Sequence, residues 1–336
     1  MPLKLIEPSD IESLTNSRAG ELKLGETVHL GAEIILEELK SIPAQFVLFG
    51  VKEDAGPRAN HGKAGARSAW EYFLPALLNV QDNDFLSGDS VLLLGELDYT
   101  DEIEHESNDI ETLRSLVEKI DKEVSELVEL IVKAGKIPIL VGGGHNNSYG
   151  LLKGASKALN KAINCINLDP HADYRDLEGR HSGNGFSYAK NEGYLDQYYI
   201  CGLHQSYNSQ SMLQKLHDSE DISYSTFDAA IIQRRSTLKE SISKGVSFVS
   251  NSQFGIELDC DSIQQFPVSA KTSSGVSPNQ ARMFTYSMGA QTNAIYFHLT
   301  EAAPVLAGEE APIWGKLMAY LVTDFMKAKL SMITNS

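Results

Sequence analysis

Five residues in the middle of the chain carry the densest chemistry. Asp169-Pro170-His171-Ala172-Asp173 follows the apolar run Cys165–Leu168, which reads as the end of a buried strand. Alternate residues of an extended backbone point to one side, so Asp169, His171 and Asp173 converge on one point. Taken alone, such a run also fits acids that cap a helix beside an incidental histidine. Asp259 and Asp261 repeat the arrangement after the apolar run in Gly255–Asp259, with Cys260 on the opposite face. His145 follows Gly142-Gly143-Gly144 at the end of a third strand, Ile137–Val141. Oxygen and imidazole donors without thiolate suit manganese, iron or a similar divalent ion better than structural zinc. Six donors are too many for one catalytic ion that needs an open position, and four carboxylates packed together repel. Two divalent ions about 3.5–4 Å apart, sharing carboxylates, resolve both difficulties.

The blocks GGGHN, DPHAD, ELDCD and EAAP, spread from about Gly50 to the C-terminus, resemble the signature set of the ureohydrolase superfamily: arginase, agmatinase and formimidoylglutamase. The resemblance implies a three-layer α/β/α arginase-like fold with a mostly parallel sheet of about eight strands and the active site at the strand C-terminal ends. It implies two Mn2+ per chain, with other divalent ions as alternatives. His145 and Asp173 would hold one ion, His171 and Asp261 the other, and Asp169 and Asp259 would bridge them. Glu301, in Thr300-Glu301-Ala302-Ala303-Pro304, stands where the family places a carboxylate that grips a planar cationic group. The polar loop Glu178–Ser187, with His181-Ser182-Gly183-Asn184, is similar to the formimidoylglutamase branch. There His181 would be a proton shuttle or a substrate hydrogen-bond partner, and Asn184 a substrate contact; a histidine that only closes the loop is the other reading. A homo-trimer or homo-hexamer is also implied. Pro170, Glu257 and Gln264 depart from the usual pattern without removing a ligand. Glu257 is placed on the face of Asp259 and Asp261, where it would perturb the site or bind substrate.

The elements that must position these groups alternate between strand and helix, which predicts a parallel sheet covered on both faces. Functional groups then belong at the carboxyl ends of the strands, where the motifs fall. Buried strands are predicted at Ala44–Val51, Val91–Leu97 and Ala294–Leu299, with shorter ones at Asp196–Gly202 and Ile222–Thr226. Apolar residues from Leu113 to Ile131 recur at three- and four-residue spacing, the mark of a long amphipathic helix. Further helices are predicted at Asn146–Leu159, Gln205–Asp218 and Trp314–Leu330, and another after Phe227 that stops before an apolar stretch, Val246–Val249. Asp101–Asp109 reads as solvated loop and helix start, and Ser262–Ser277 as a long loop of the kind that covers sites. The first 40 residues read as a surface lead-in to a single domain spanning 1–336. In the loop after the first strand, His61 is a weak candidate ligand, with a loop histidine near substrate or solvent as the simpler reading.

The chain has 336 residues, 42% of them hydrophobic, and a formal net charge of −16. Such acidity disfavours nucleic-acid backbones and anionic membranes as partners. Three cysteines without paired spacing read as buried thiols of a reducing compartment. No apolar run of 18 residues and no leader-like stretch occurs, which places the protein in the cytoplasm. The glycine turn before His145 lacks a following lysine and is not G-x-G-x-x-G, so phosphate binding is disfavoured.

Arg175, two residues beyond Asp173, continues the same face if the segment stays extended. Its fork of donors suits a substrate carboxylate; a surface pair with Asp176 or Glu178 is the alternative. Together with the HSGN loop, it favours N-formimino-L-glutamate, cleaved to glutamate and formamide in histidine degradation. Arginase, agmatinase or another guanidino hydrolase is the alternative substrate class. A metal-binding relative without catalysis and a deacetylase-like single-zinc hydrolase are the alternative function classes. Metal content separates them: two ions fit the binuclear hydrolase, one the deacetylase-like site, none the binding protein.

Overall fold

The apolar runs become strands that stack side by side because each is too short for a helix and apolar on both faces. A computed structural model describes residues 1–34, 36–105 and 109–334; positions 106–108 of the acidic stretch and residue 35 of the lead-in lie outside the described residues. The strands are β1 (Leu3–Leu5), β2 (His29–Leu30), β3 (Phe46–Lys52), β4 (Val91–Asp98), β5 (Ile137–Val141), β6 (Ile163–Leu168), β7 (Leu195–Leu203), β8 (Ile222–Thr226), β9 (Phe254–Asp259) and β10 (Ala294–Thr300). They form one ten-stranded sheet in the order β1-β4-β3-β5-β10-β9-β6-β7-β8, with β2 also on β4. Every pairing is parallel except that of β1 with β4.

Two strands more than the expected eight come from the N-terminal lead-in. β1 pairs with Gly95–Leu97 and β2 with Leu92–Leu93, so both lie along the outer edge of β4. At three and two residues they are too short for a periodic signature, and the lead-in is part of the sheet rather than only a surface cover. A short helix, Pro8–Leu14, does follow β1.

Among the described residues six longer helices cover the sheet: α1 (Ala69–Leu78), α2 (Ile110–Lys133), α3 (Asn147–Leu159), α4 (Leu238–Val249), α5 (Pro278–Gly289) and α6 (Ala311–Thr334). α2 starts where Asp109 accepts a hydrogen bond from the Thr112 amide, and it buries Leu113, Leu116, Val117, Ile120, Val124, Leu127, Val128 and Ile131. α5 has Pro278 at its first position and a capping box between Ser277 and Gln280. One apolar core holds Trp70, Phe73, Ile242, Phe284 and Phe325 from α1, α4, α5 and α6 against one sheet face. The other holds Val117, Val124, Leu151 and Leu152 from α2 and α3 against the opposite face. The result is the three-layer α/β/α architecture.

Several helix boundaries differ from the sequence reading; α6 runs from Ala311 to Thr334 where Trp314–Leu330 is predicted, and two others change more than length. Val246–Val249 is the last turn of α4, not a separate apolar stretch; so short a run fits helix and strand alike. The segment after β7 turns through residues 205–209, and its helix, Gln210–His217, begins only after Ser209 caps the Met212 amide. Tyr207, Asn208 and Ser209 are thereby left on a loop beside the carboxyl end of β7.

Candidate metal centre

The carboxyl ends of β5, β6, β9 and β10 are neighbours in the sheet order β5-β10-β9-β6. His145, Asp169, Asp259 and Glu301 follow these strands and meet at one pole of the molecule. The turn carrying His145 needs Gly143, whose φ is 68°. A Cβ there would lie 2.4 Å from Asn147 Nδ2 and 2.8 Å from Glu53 Oε1. That close approach is used: Glu53, wholly buried, accepts hydrogen bonds from the Gly144 amide at 2.6 Å and from Asn147 Nδ2 at 2.8 Å.

The His145 ring turns Nδ1 toward three carboxylates, with Asp173 Oδ2 at 3.0 Å, Asp259 Oδ2 at 3.1 Å and Asp169 Oδ2 at 3.3 Å. His171 Nδ1 lies 3.0 Å from Asp261 Oδ2 and 3.6 Å from Asp169 Oδ1. Two overlapping donor groups result, one of His145, Asp169, Asp173 and Asp259, the other of Asp169, His171 and Asp261. All six sequence-predicted ligands are brought together, and Asp169 alone is common to both groups. Asp259 stands with the His145 group and anchors the other through its Oδ1, which accepts the Asp261 amide at 2.9 Å.

Charge is the defining property of this pole. Burial drives the Asp259 carboxyl far above its usual range, and the neighbouring Asp261 and Asp169 push it further. Asp173 and Asp261 are also raised, by burial first, and Glu301 well above, by burial and then Asp259. Burial disfavours a protonated His145, yet its hydrogen bonds to Asp169, Asp173 and Asp259 outweigh that and hold its pKa well above the ordinary value. Packed carboxylates this poorly compensated by basic side chains are the electrostatic complement of bound cations. The donor set fits divalent ions: carboxylate oxygens and imidazoles only, with Asp261 Oδ1 buried and unpartnered. The three thiols are buried and free, and none joins a candidate donor group among the described residues.

The pole opens into a cavity of about 520 Å3 lined by His171, Asp173, Asp259, Asp261, Glu301 and Arg175 together with loop residues. Glu301, held at φ 60°, accepts the His145 amide through Oε1 at 2.8 Å. His61 lines the cavity but belongs to no candidate donor group. Tyr207, Asn208 and Ser209 form part of the wall, as do Val268, Ser269 and Ala270 from the long loop after β9. The Tyr207 ring stacks on His171 at 5.3 Å between centroids. Sequence reasoning assigned residues 205–209 to a helix and so missed this wall; a serine cap at Ser209 was the available signal.

Three expectations are corrected by the geometry. Asp173 has φ 45°, so the chain leaves the extended conformation there and Arg175 does not continue the ligand face. Arg175 still reaches the cavity wall, where its guanidinium donates to Asn60 Oδ1 at 2.8 Å and pairs with Glu178 Oε1 at 2.9 Å. His181 is wholly buried; its Nδ1 accepts from the Gly183 amide and its Nε2 lies 3.1 Å from Glu178 Oε1. Burial lowers its pKa to about 4. Asn184 is likewise buried, accepting from Arg180 and the His181 amide and donating to the Gly179 and Asp176 carbonyls. Neither lines the cavity: these two residues close the loop, while Ser182 and Gly183 form its cavity-facing surface. Glu257 does share the buried face of Asp259, but it lies beneath the centre and does not line the cavity.

Fold and site together define a three-layer α/β protein with a candidate binuclear metal centre at the carboxyl ends of a parallel sheet. The chain belongs to the arginase family, whose model matches residues 44–326. A formimidoylglutamase of Streptococcus pyogenes is 26% identical over 272 residues, covering 77% of this chain and 77% of that protein. Among solved structures, a formimidoylglutamase from Bacillus subtilis aligns with TM-score 0.76 at 17% identity, over 94% of this chain and 95% of that one. A formiminoglutamase from Trypanosoma cruzi, solved with Mn2+, aligns with TM-score 0.74 at 18% identity, over 92% and 98%. A hypothetical agmatinase from Burkholderia thailandensis reaches 0.71 at 18% identity, over 95% and 94%. These structural likenesses establish the shared fold.

Proposed function

We propose that this protein is a manganese-dependent hydrolase of linear amidine C–N bonds, and that its substrate is N-formimino-L-glutamate, converted with water to L-glutamate and formamide. The observation that carries the reading is one cavity onto which members of both donor groups open, Asp173 and Asp259 of one and His171 and Asp261 of the other, together with Glu301 and Arg175. His145, Asp169, Asp173 and Asp259 would hold one ion, and Asp169, His171 and Asp261 the other. Two divalent ions in such a site supply Lewis acidity that makes a water nucleophilic near neutral pH.

The protein's own groups account for the rest. Glu301 faces the cavity with a carboxylate suited to the cationic formimino group, orienting its planar carbon. Asp173 lines the cavity and is the group placed to pass a proton to the leaving nitrogen; His181, buried and held by Glu178 and Gly183, is not. Arg175 is half exposed, with a carboxylate partner and an amide partner that a substrate carboxylate can replace. Fixed positive charge at that wall disfavours the ammonium tail of agmatine. The relatives named formimidoylglutamase support the same choice. Assembly as a homo-trimer or homo-hexamer is part of this reading, and a light-scattering mass of one chain would contradict it. Among the described residues no helix is long and apolar enough to cross a membrane.

The test is a panel of formiminoglutamate, arginine, agmatine and small guanidino compounds with manganese-loaded enzyme, for wild type and Arg175→Ala. Formiminoglutamate is expected to be preferred, and Arg175→Ala to lose about 10–100-fold in kcat/KM, the worth of one charged hydrogen-bonded pair. Preferred turnover of agmatine, or unchanged kinetics in the variant, would overturn the substrate assignment.

A further inference from the structure

Beneath the candidate metal ligands runs a second row of polar groups in the middle of the sheet, where a parallel sheet is ordinarily apolar. Glu257 on β9 lies directly between Asn167 on β6 and His298 on β10, and all three are wholly buried. Asn167 Nδ2 donates to Asp169 Oδ2 at 2.8 Å, so one member of the row already holds a ligand from below. Glu257 is itself held from two sides, with His298 Nδ1 2.5 Å from Oε2 and the Tyr296 hydroxyl donating to Oε1 at 2.8 Å. Room for the Tyr296 ring exists because residue 255 is glycine: a Cβ there would lie 1.9 Å from the ring.

One neighbour of Glu257 remains. His145 Nε2 stands 3.5 Å from Glu257 Oε2 and makes no hydrogen bond within the protein, while Nδ1 of the same ring faces Asp169, Asp173 and Asp259. An imidazole that binds metal through one nitrogen carries its proton on the other, and a carboxylate behind that N–H fixes both tautomer and ring orientation. We infer that Glu257, clamped by His298 and Tyr296, is a positioning residue that orients His145 to present Nδ1 to a divalent ion. Substrate does not touch it, since Glu257 is absent from the cavity wall. The role is asymmetric, because His171 lies in the other donor group and Glu257 belongs only to a cluster with His145 and His298. This inference rests on the binuclear reading of the site.

The experiment is manganese titration of metal-stripped full-length protein by calorimetry, with metal content after dialysis and electron paramagnetic resonance of the loaded protein. Wild type is expected to bind two ions and give the multiline signal of a coupled pair. In Glu257→Gln one site is expected to weaken about 10–100-fold while the other keeps its affinity, so the coupled signal gives way to that of isolated ions. Tyr296→Phe, which removes one clamp and leaves the carboxylate, is expected to shift the same site by a smaller factor; it serves as the probe if Glu257→Gln does not fold. Two sites of unchanged affinity in Glu257→Gln, or in Tyr296→Phe where that is the probe, would overturn the positioning role and leave the binuclear reading standing. A third wild-type ion lost in Glu257→Gln would overturn it too, making the buried cluster a metal site itself. Wild type that binds no manganese would overturn the binuclear reading first, and this inference with it.

Discussion

The two ends of the sheet handle buried charge in opposite ways. At the carboxyl end, Asp169, Asp259 and Asp261 are buried beside Asp173 and Glu301, and among the described residues their basic partners are His145 and His171. At the amino end of β10, Lys329 of α6 is buried, and its ammonium donates to the carbonyls of Gln291, Thr292 and Ala294 at 2.6, 3.1 and 2.8 Å. The amino end meets its ion with backbone dipoles already in place, which offset part of the cost of burying it. The carboxyl end packs carboxyls whose charge must be met by protons or by added cations. One arrangement completes the fold by itself; the other makes the fold a binding site.

The sharpest way to break this comparison is to remove the shared carboxylate. Asp169→Asn is expected to lose both ions and to lower kcat/KM by about a thousandfold or more. Metal analysis of the dialysed variant, read beside its activity, checks this; retained manganese with full turnover would refute it. A smaller effect is expected from Glu301→Gln, which leaves the ions bound and replaces a carboxyl facing the substrate with an amide. Its loss should be about thirtyfold in kcat/KM, or about 2 kcal/mol, and unchanged kinetics would remove Glu301 from the reaction.

The amino end is tested through pH. Burial pushes the Lys329 ammonium down to about 8 from an ordinary 10.5. Below pH 8 both folded and unfolded chains hold the proton, and the burial penalty is constant. Between 8 and 10.5 the unfolded chain keeps a proton that the native protein has released, so stability rises with pH, by about 3 kcal/mol at about 1.4 kcal/mol per unit. Denaturant unfolding at pH 7 and pH 10 should show that rise in wild type relative to Lys329→Met, and equal slopes would refute it. Smallest of all is the effect expected from His181→Asn: manganese content unchanged and kcat within about twofold, as befits a side chain that only closes a loop. A large fall in kcat with intact metal content would restore His181 as a proton carrier.

What was legible in the sequence divides along the same structural lines. His145, Asp169, His171, Asp173, Asp259 and Asp261 sit at or just beyond strand ends, where pleat and sheet order fix direction, and their convergence could be read from spacing; Glu301 was legible through the family resemblance of the block that holds it. His181, Asn184 and Arg175 sit in the loop beyond, where one left-handed residue, Asp173, redirects everything after it. No periodicity constrains such a segment, so residue type indicated polarity but not which way each group faces. β1 and β2 escaped notice because pairing with the edge of β4, not local pattern, makes them strands. Glu257 was legible as a departure and as a resident of the ligand face. Its partners were not, since Tyr296 and His298 become neighbours only through the placement of β10 beside β9.

That placement also limits the order in which this lineage can change. Tyr296 occupies the space that a side chain at position 255 would need, so a larger residue at 255 can be accepted only after the tyrosine has been replaced by something smaller. Replacing the tyrosine first strips Glu257 of a hydrogen bond while it is still buried, which costs about 1–3 kcal/mol. Sequences bearing glutamate at 257 should therefore carry glycine at 255 and tyrosine at 296 as a set, inherited or lost together.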